Sequence, residues 1–353
     1  MRLALIGFGN VGQAFARLLL SKREWLREAL ELDVEVAAVA TLTRGSLMSD
    51  GALDLGRVLS EIGGRGSLTG YGPESTGLSA LEIIEGCGAD LMVELTTLNI
   101  ESGRPAIDHI RAALGSGMSV ITANKGPLAF AYRELRALAR SRRACFRFEG
   151  TVMDGAPVFS LVERTLPGCR VTGIAGILNS TSNFILSRMA RGAGLDEALR
   201  EARMLGMTEA DPSLDVDGWD AAAKTAALAN VLMDAGTTPQ EVDRAGIGGL
   251  DPGAVRLAAR RGMKFKLVAR AERAGGSVEA AVRPERMGPD DPFWSVEGAS
   301  SAVTLRTDLM GEVTIVERDP GLAQTAYAVF SDMILIHESI RAGFAAANTL
   351  WRP

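Results

Sequence analysis

Through the first 150 residues, short continuous apolar runs alternate with stretches whose apolar positions recur every three or four residues. The continuous runs are "LALIG" (3–7), "VEVAAVA" (34–40), "LMVELTT" (91–97), "SVITANK" (119–125) and "ACFRFEG" (144–150). Their length and β-branched content predict strands. "GQAFARLLLSKREWLREALE" (12–31) and "PAIDHIRAALGSG" (105–117) have the helical spacing. Apolar strands separated by amphipathic helices predict an α/β fold with a doubly wound parallel sheet. After about residue 155 the rhythm changes. "VTGIAGILNSTSNFILSRMA" reads as strand, loop and helix, and two helices follow near 195–205 and 216–234. "FKLVARAE", "SVEAAVRPER" and "VTLRT" then read as strands of a second, mixed sheet. The pattern therefore divides the chain into residues 1–150, 151–320 and a helical tail, 321–353, that packs back on the first part.

Composition narrows the classes. Hydrophobic residues make up 47% and charged residues 23%, the balance of a globular protein. The net charge is -5 and no face concentrates lysine and arginine, which argues against nucleic acid as a partner. No apolar run reaches the roughly 18–20 residues that span a bilayer. The N-terminus reads as a first strand, not as a signal peptide. Three scattered cysteines, Cys87, Cys145 and Cys169, suggest reduced thiols and a cytoplasmic location.

"LALIGFGNVGQAF" places Gly7-x-Gly9-x-x-Gly12 between a strand and a helix. Gly7 permits the tight turn, Gly9 lets the backbone approach a pyrophosphate, and Gly12 lets helix and strand pack closely. The helix N-terminus offers positive potential to phosphates. This is the dinucleotide reading; the bland one is an ordinary glycine-rich turn. The second strand ends "VATLTRGS", with no acid to hold a ribose 2′-hydroxyl. Thr43 and Arg44 stand there instead, which favours NADP(H) over NAD(H) unless Arg44 is only a solvated loop residue.

Five carboxylates fall in the twelve residues from Glu209 to Asp220, and then Lys224 is the only charge between Ala221 and Met233. A helix that apolar is expected to be buried, and a buried ammonium needs a partner. Asp220 lies four residues earlier on the same face. One reading is structural: Asp217 as N-cap, Asp220 at the third helical position and a plain ion pair to Lys224. The other is a site, in which a desolvated lysine serves acid–base chemistry. Lys125, in "NKG" after the fourth strand, and Thr96 and Thr97 sit at strand ends where open sheets bind ligands. In "GILNSTSNFIL", Asn179 to Asn183 either cap the helix or present donors to a substrate.

These motifs resemble homoserine dehydrogenases over nearly the whole chain. The matching stretches are "GFGNVG" (7–12), "VELTTLNIESGRPA" (93–106), "VITANKGPLA" (120–129), "GILNSTSNFIL" (176–186), "EARMLGMTEADPSLDVDGWDAAAK" (201–224) and "TAYAVFSD" (325–332). The resemblance implies a Rossmann-type nucleotide domain, a mixed-sheet domain for catalysis and dimerisation, and a homodimer. It implies NAD(P)-dependent interconversion of L-homoserine and L-aspartate 4-semialdehyde in threonine, methionine and isoleucine biosynthesis. Lys224 would be the proton donor and acceptor. Asp220 would hold the substrate end beside it, Glu209 would take the substrate ammonium with Asp215 near, and Lys125 would sit between cofactor and substrate. Thr96 and Gly206 would line the cofactor, beside the glycine-turn residues Gly7, Phe8, Gly9, Asn10, Val11 and Gly12, Arg44 at the second strand end, and Gly321.

The chain departs from the pattern in places. A turn expected to hold Na+ or K+ through backbone carbonyls reads "EGTVMDGAPVF", aligning Glu149, Val152, Asp154 and Ala156. The second glycine cluster is reduced to Gly321 in "VERDPGLAQTA". The chain ends at Pro353, so threonine feedback through a C-terminal regulatory domain is not expected. Two other readings compete: a different dehydrogenase on the same scaffold, and a nucleotide-binding sensor without catalysis. An acyl-enzyme chemistry would need a cysteine in these motifs, and none is there.

Overall fold

A computed structural model describes residues 1–208 and 211–343. Among the described residues two compact units emerge: residues 1–127, 133–159 and 321–343, and residues 128–132 with 160–320.

The first unit holds β1 (Arg2–Ile6), α1 (Asn10–Leu30), β2 (Glu35–Ala40), β3 (Ser46–Met48), α2 (Leu55–Gly64), β4 (Ser75–Thr76), α3 (Ala80–Gly86), β5 (Leu91–Glu94), α4 (Ala106–Gly115), β6 (Ser119–Thr122), α5 (Gly126–Arg142) and β7 (Phe146–Arg147). Its seven-stranded sheet runs β4-β3-β2-β1-β5-β6-β7. The strands from β2 to β7 are parallel, while β3 and β4 extend the edge antiparallel. The strand order reverses between β1 and β5. Leu3, Leu5, Val39, Leu91, Val93 and Ile121 are wholly buried, as strands covered on both faces must be.

A C-terminal helix, Leu322–Arg341, brings Ala326, Val329, Phe330, Met333 and Ile336 into this core. Phe330 stands 6.3 Å from Trp25 of α1, ring centre to ring centre. On the same helix Asp332 accepts from Arg147 Nε at 2.8 Å and from the Glu149 N–H at 2.8 Å. Burial pushes the Asp332 carboxyl upward, against the pull of the Arg147 guanidinium.

The strand expected at 144–150 is shorter than its apolar run, because Glu149–Thr151 coil into a 3-10 turn. Glu149 Oε1 there accepts the Val158 and Phe159 N–H groups, at 2.7 and 2.8 Å. Those bonds keep the chain with the first unit to Phe159, beyond the expected boundary at 150.

The second unit holds α6 (Phe159–Thr165), β8 (Val171–Ile177), α7 (Ser180–Ala190), α8 (Leu195–Met204), α9 (Ser213–Val216), α10 (Trp219–Met233), β9 (Asp243–Arg244), α11 (Pro252–Arg260), β10 (Lys264–Ala274), β11 (Ser277–Met287), β12 (Ser301–Thr307) and β13 (Gly311–Glu317). Its mixed sheet runs β13-β12-β8-β10-β11-β9, antiparallel except for β11 and β9. The helix expected over 216–234 starts later, at Trp219, with Val216 the last residue of the short α9. Asp217 caps the end of α9, and Gly218, at φ +79°, starts α10 in a conformation that glycine adopts without strain.

Asp332→Ala is expected to lower the unfolding free energy by about 3–5 kcal/mol, because it removes one partner of a buried ion pair and the acceptor of the Glu149 N–H. Urea denaturation measures this; a loss under about 1 kcal/mol would mean the pair does not anchor the helix.

Candidate active site

The glycine turn follows β1 as the spacing predicts. Gly7 stands at φ +95°, and a Cβ there would lie 2.5 Å from the Leu95 carbonyl oxygen. A Cβ on Gly12 would come within 2.9 Å of the Gly7 carbonyl oxygen. Gly9 has nothing within 4 Å of its Cβ position, so the space above it is open. Gly9 is also the N-cap of α1, where Asn10 and Val11 begin the helix; no side chain caps it and no acid stands in its first turn. The side chain of Phe8 is in the core, which leaves its backbone for the turn. These features fit a pyrophosphate: room, exposed N–H groups and positive potential.

At the end of β2 the Thr41 hydroxyl donates to Gly45 O at 2.7 Å and accepts from the Arg44 N–H at 2.9 Å. Leu68 N–H donates to Arg44 O at 2.7 Å. The Arg44 backbone is thus fastened, while its exposed guanidinium makes no hydrogen bond or ion pair among the described residues.

Thr96 follows β5 and donates its N–H to Glu94 Oε1 at 2.9 Å. Lys125 is the N-cap of α5. Asn124 fixes that helix start: its Oδ1 accepts the Gly126 N–H at 2.9 Å and its Nδ2 donates to Thr96 O at 3.0 Å. Gly321 is the N-cap of the C-terminal helix, its N–H bonded to Gln324 Oε1 at 3.1 Å.

Within the second unit, every residue from Ala221 to Met233 is buried except Lys224. Its Nζ donates to Leu178 O at 2.8 Å and lies 3.2 Å from Asp220 Oδ2. Asn179 meets both acids: its Nδ2 is 2.6 Å from Asp215 Oδ1 and 3.0 Å from Asp220 Oδ2. Its Oδ1 accepts the Ser182 N–H at 2.7 Å and so caps α7. Thr208 adds a bond from its hydroxyl to Asp215 Oδ2 at 3.1 Å. Burial raises the Asp215 pKa, and the neighbouring Asp220 charge adds to that.

The capping-box alternative for Asp217 and Asp220 is corrected here. Gly218 is the N-cap of α10, no side chain caps it, and Asp220 is the second helical residue. Asn183 belongs to the fold. Its Nδ2 reaches the carbonyls of Val296, Gly298 and Ser300, and its Oδ1 accepts from buried Lys266 at 2.9 Å. Gly206 follows α8 at φ +70°. Glu209 lies outside the described residues.

The turn aligned for a cation runs from Glu149 to Ala156. The Glu149 carboxylate is bonded to backbone N–H groups, and Ala156 O accepts the Val158 N–H at 2.9 Å. Val152 is buried, and Asp154 stands at φ +38° with its Oδ1 accepting from Thr325 at 3.0 Å. Among the described residues no cluster of three or more His, Cys, Asp or Glu is placed to hold a metal. No described helix is long and apolar enough to cross a membrane.

The structure brings Lys224, Asp220 and Asp215 together; the carbonyl of Leu178, Thr208 and the bridging task of Asn179 were not read from the sequence. Glu94, an acid ending an apolar strand, was also passed over.

A family model described as homoserine dehydrogenase matches residues 157–334, and a second, described as its NAD binding domain, matches residues 7–149. An NAD(+)-dependent homoserine dehydrogenase of Pseudomonas canavaninivorans is 39% identical over 342 residues, covering 96% of each chain. A homoserine dehydrogenase of Methanocaldococcus jannaschii is 35% identical, covering 97% of this chain and all of its own. Among solved structures, a mutant hyperthermophilic archaeal homoserine dehydrogenase in complex with NADPH superposes with a TM-score of 0.82 at 32% identity, covering 96% of this chain and 98% of that one.

Asn179→Ala is expected to cost about 1–3 kcal/mol of stability, since it removes a helix cap and the donor shared by two carboxylates. A urea midpoint equal to that of wild type would show that the bridge holds nothing.

Proposed function

Because the chain belongs to the homoserine dehydrogenase family, we propose that Lys224 is the proton donor and acceptor as L-aspartate 4-semialdehyde and L-homoserine interconvert. The observation that carries this reading is the lone ammonium of α10, tied to Asp220 at 3.2 Å and to Leu178 O at 2.8 Å in an otherwise buried helix. When bound, the nicotinamide nucleotide supplies or accepts the hydride at the aldehyde or alcohol carbon. In reduction the carbonyl oxygen gains negative charge, and Lys224 delivers a proton to it. In oxidation the neutral amine takes the proton back. Asp220 keeps the ammonium oriented, and Asn179 fixes Asp220. Asp215 and Glu209 take the substrate's ammonium group, and Lys125 assists at the head of α5. The same family likeness supports a cytoplasmic homodimer that works in threonine, methionine and isoleucine synthesis. A Na+ or K+ ion at 149–156 would rest on backbone carbonyls, since the Glu149 carboxylate is already engaged.

The nucleotide sits on the glycine turn in this reading, with Thr96, Gly206 and Gly321 contributing. The relatives divide over its identity, one named for NAD(+) and one solved with NADPH. We favour NADP(H), because Arg44 presents a guanidinium at the β2 end and "VATLTRGS" offers no acid against a 2′-phosphate.

Two measurements test these roles. Lys224→Ala should cut kcat by about 10²–10⁴-fold and leave nucleotide affinity within a few-fold, as expected for the loss of a positioned proton donor. A kcat near that of wild type removes Lys224 from the chemistry. Arg44→Ala should raise KM for NADPH by about tenfold or more and leave KM for NADH unchanged, as loss of a phosphate contact on the order of 1–3 kcal/mol requires. Equal weakening of both nucleotides would place Arg44 on shared atoms or on the loop.

A further inference from the structure

Glu94 closes β5 and has no exposed surface. It stands in register with Ile6 of β1 on one side and Thr122 of β6 on the other. This is the place where the strand order reverses, and open α/β sheets bind ligands in the crevice beyond the strand ends at such a reversal. The next residue, Leu95, is the one whose carbonyl crowds Gly7.

Its hydrogen bonds lead to the ligand loops. Oε1 accepts the Thr96 N–H at 2.9 Å and the Thr96 hydroxyl. Oε2 accepts the Thr122 hydroxyl at 2.8 Å. Thr122 in turn accepts the Asn124 N–H at 3.0 Å, and Asn124 holds Thr96 O and the first N–H of α5. All of these donors are neutral. A glutamine would fill the same space and accept the same Thr96 bonds, so hydrogen bonding alone does not call for an acid.

We propose that Glu94 is a specificity residue of the nucleotide site, whose buried carboxylate favours the cationic oxidised nicotinamide over the neutral reduced ring. The proposal rests on the nucleotide binding at the glycine turn. Burial pushes the Glu94 carboxyl up to about 7, with the Thr96 and Thr122 hydroxyls and the Thr96 N–H opposing the rise. Those are the groups that face it, and no charged side chain contributes to the shift. A charge in so dry a place acts at longer range than one at the surface.

Calorimetric titration with NADP+ and NADPH, and with NAD+ and NADH, tests this on wild type, Glu94→Gln and Glu94→Asp. At about pH 8.5 the wild-type carboxyl is ionised, above its own titration. Glu94→Gln should raise the ratio of oxidised to reduced Kd by about tenfold, and Glu94→Asp should keep it within about twofold of wild type even where both affinities fall. Equal changes in both forms for Glu94→Gln, or none, overturn the proposal and leave a purely structural Glu94. A second readout needs no variant. Near pH 7, wild type should release more protons on binding the oxidised form than the reduced one, measured in buffers of different ionisation heat. Equal release also overturns the proposal. If neither form binds wild type, the nucleotide site itself fails, and the role of Glu94 with it.

Discussion

An ammonium set in an apolar helix has to be matched, because leaving it buried and alone would cost several kcal/mol. Much of the second unit follows from that requirement. Asp220, one turn before Lys224, matches the charge. Asp220 then stands beside Asp215, and two carboxylates repel. Asn179 relieves this by donating to both, and Thr208 donates to the outer oxygen of Asp215. Because the oxygen of the same asparagine caps α7, the turn between β8 and α7 is held against α10. The Leu178 carbonyl, one residue earlier, completes the seat of the lysine. One charge thus fixes a strand end, two helix starts and two acids.

The first unit meets the opposite demand, since it must admit negative charge close to its backbone. It keeps acids and side-chain caps away from the start of α1 and leaves the space at Gly9 open. Gly7 and Gly12 are required for packing: with any side chain, β1 and α1 could not approach the Leu95 and Gly7 carbonyls. The cost of an exposed helix start is met elsewhere. Arg147 and Asp332 pair in the interior, and the C-terminal helix lays five apolar residues on the sheet.

Much of this was legible in the chain. The five longer apolar runs are β1, β2, β5, β6 and β7, and the two amphipathic stretches are α1 and α4. Two-residue β7 was legible only because it lies inside a longer apolar run, whereas β3, β4 and β9, with two or three residues each, carry no periodicity of their own. Gly218 was visible as a residue, but its positive φ, which separates α9 from α10, depends on packing. The site was legible where its signal is local: a lysine without charged neighbours, an acid four residues before it, glycines around a strand end. It was illegible where one side chain answers to distant partners. Asn179 lies 36 and 41 residues from the acids it bridges, and nothing in "LNSTSN" separates it from Asn183, whose amide is spent on a loop.

The residues that are absent from the site elements limit the chemistry as firmly as those present. Histidine is the usual proton shuttle near neutral pH. The two histidines here are elsewhere: His109 is buried in α4, where burial lowers its pKa, and His337 is bonded to Leu30 O. In the mechanism proposed above, proton transfer rests instead on Lys224, whose ammonium is paired with Asp220. The cysteines likewise lie on other elements. Cys87 ends α3, Cys145 belongs to the first core, and Cys169 lies in the turn before β8. Oxidising an aldehyde to the acid level through an acyl-enzyme requires a thiolate beside the reacting carbon. The elements that hold Lys224, Asp220, Asp215 and Asn179 contain none. The reaction of the homoserine dehydrogenase family runs between alcohol and aldehyde and needs no such thiolate, and the proposed proton on Lys224 would complete it.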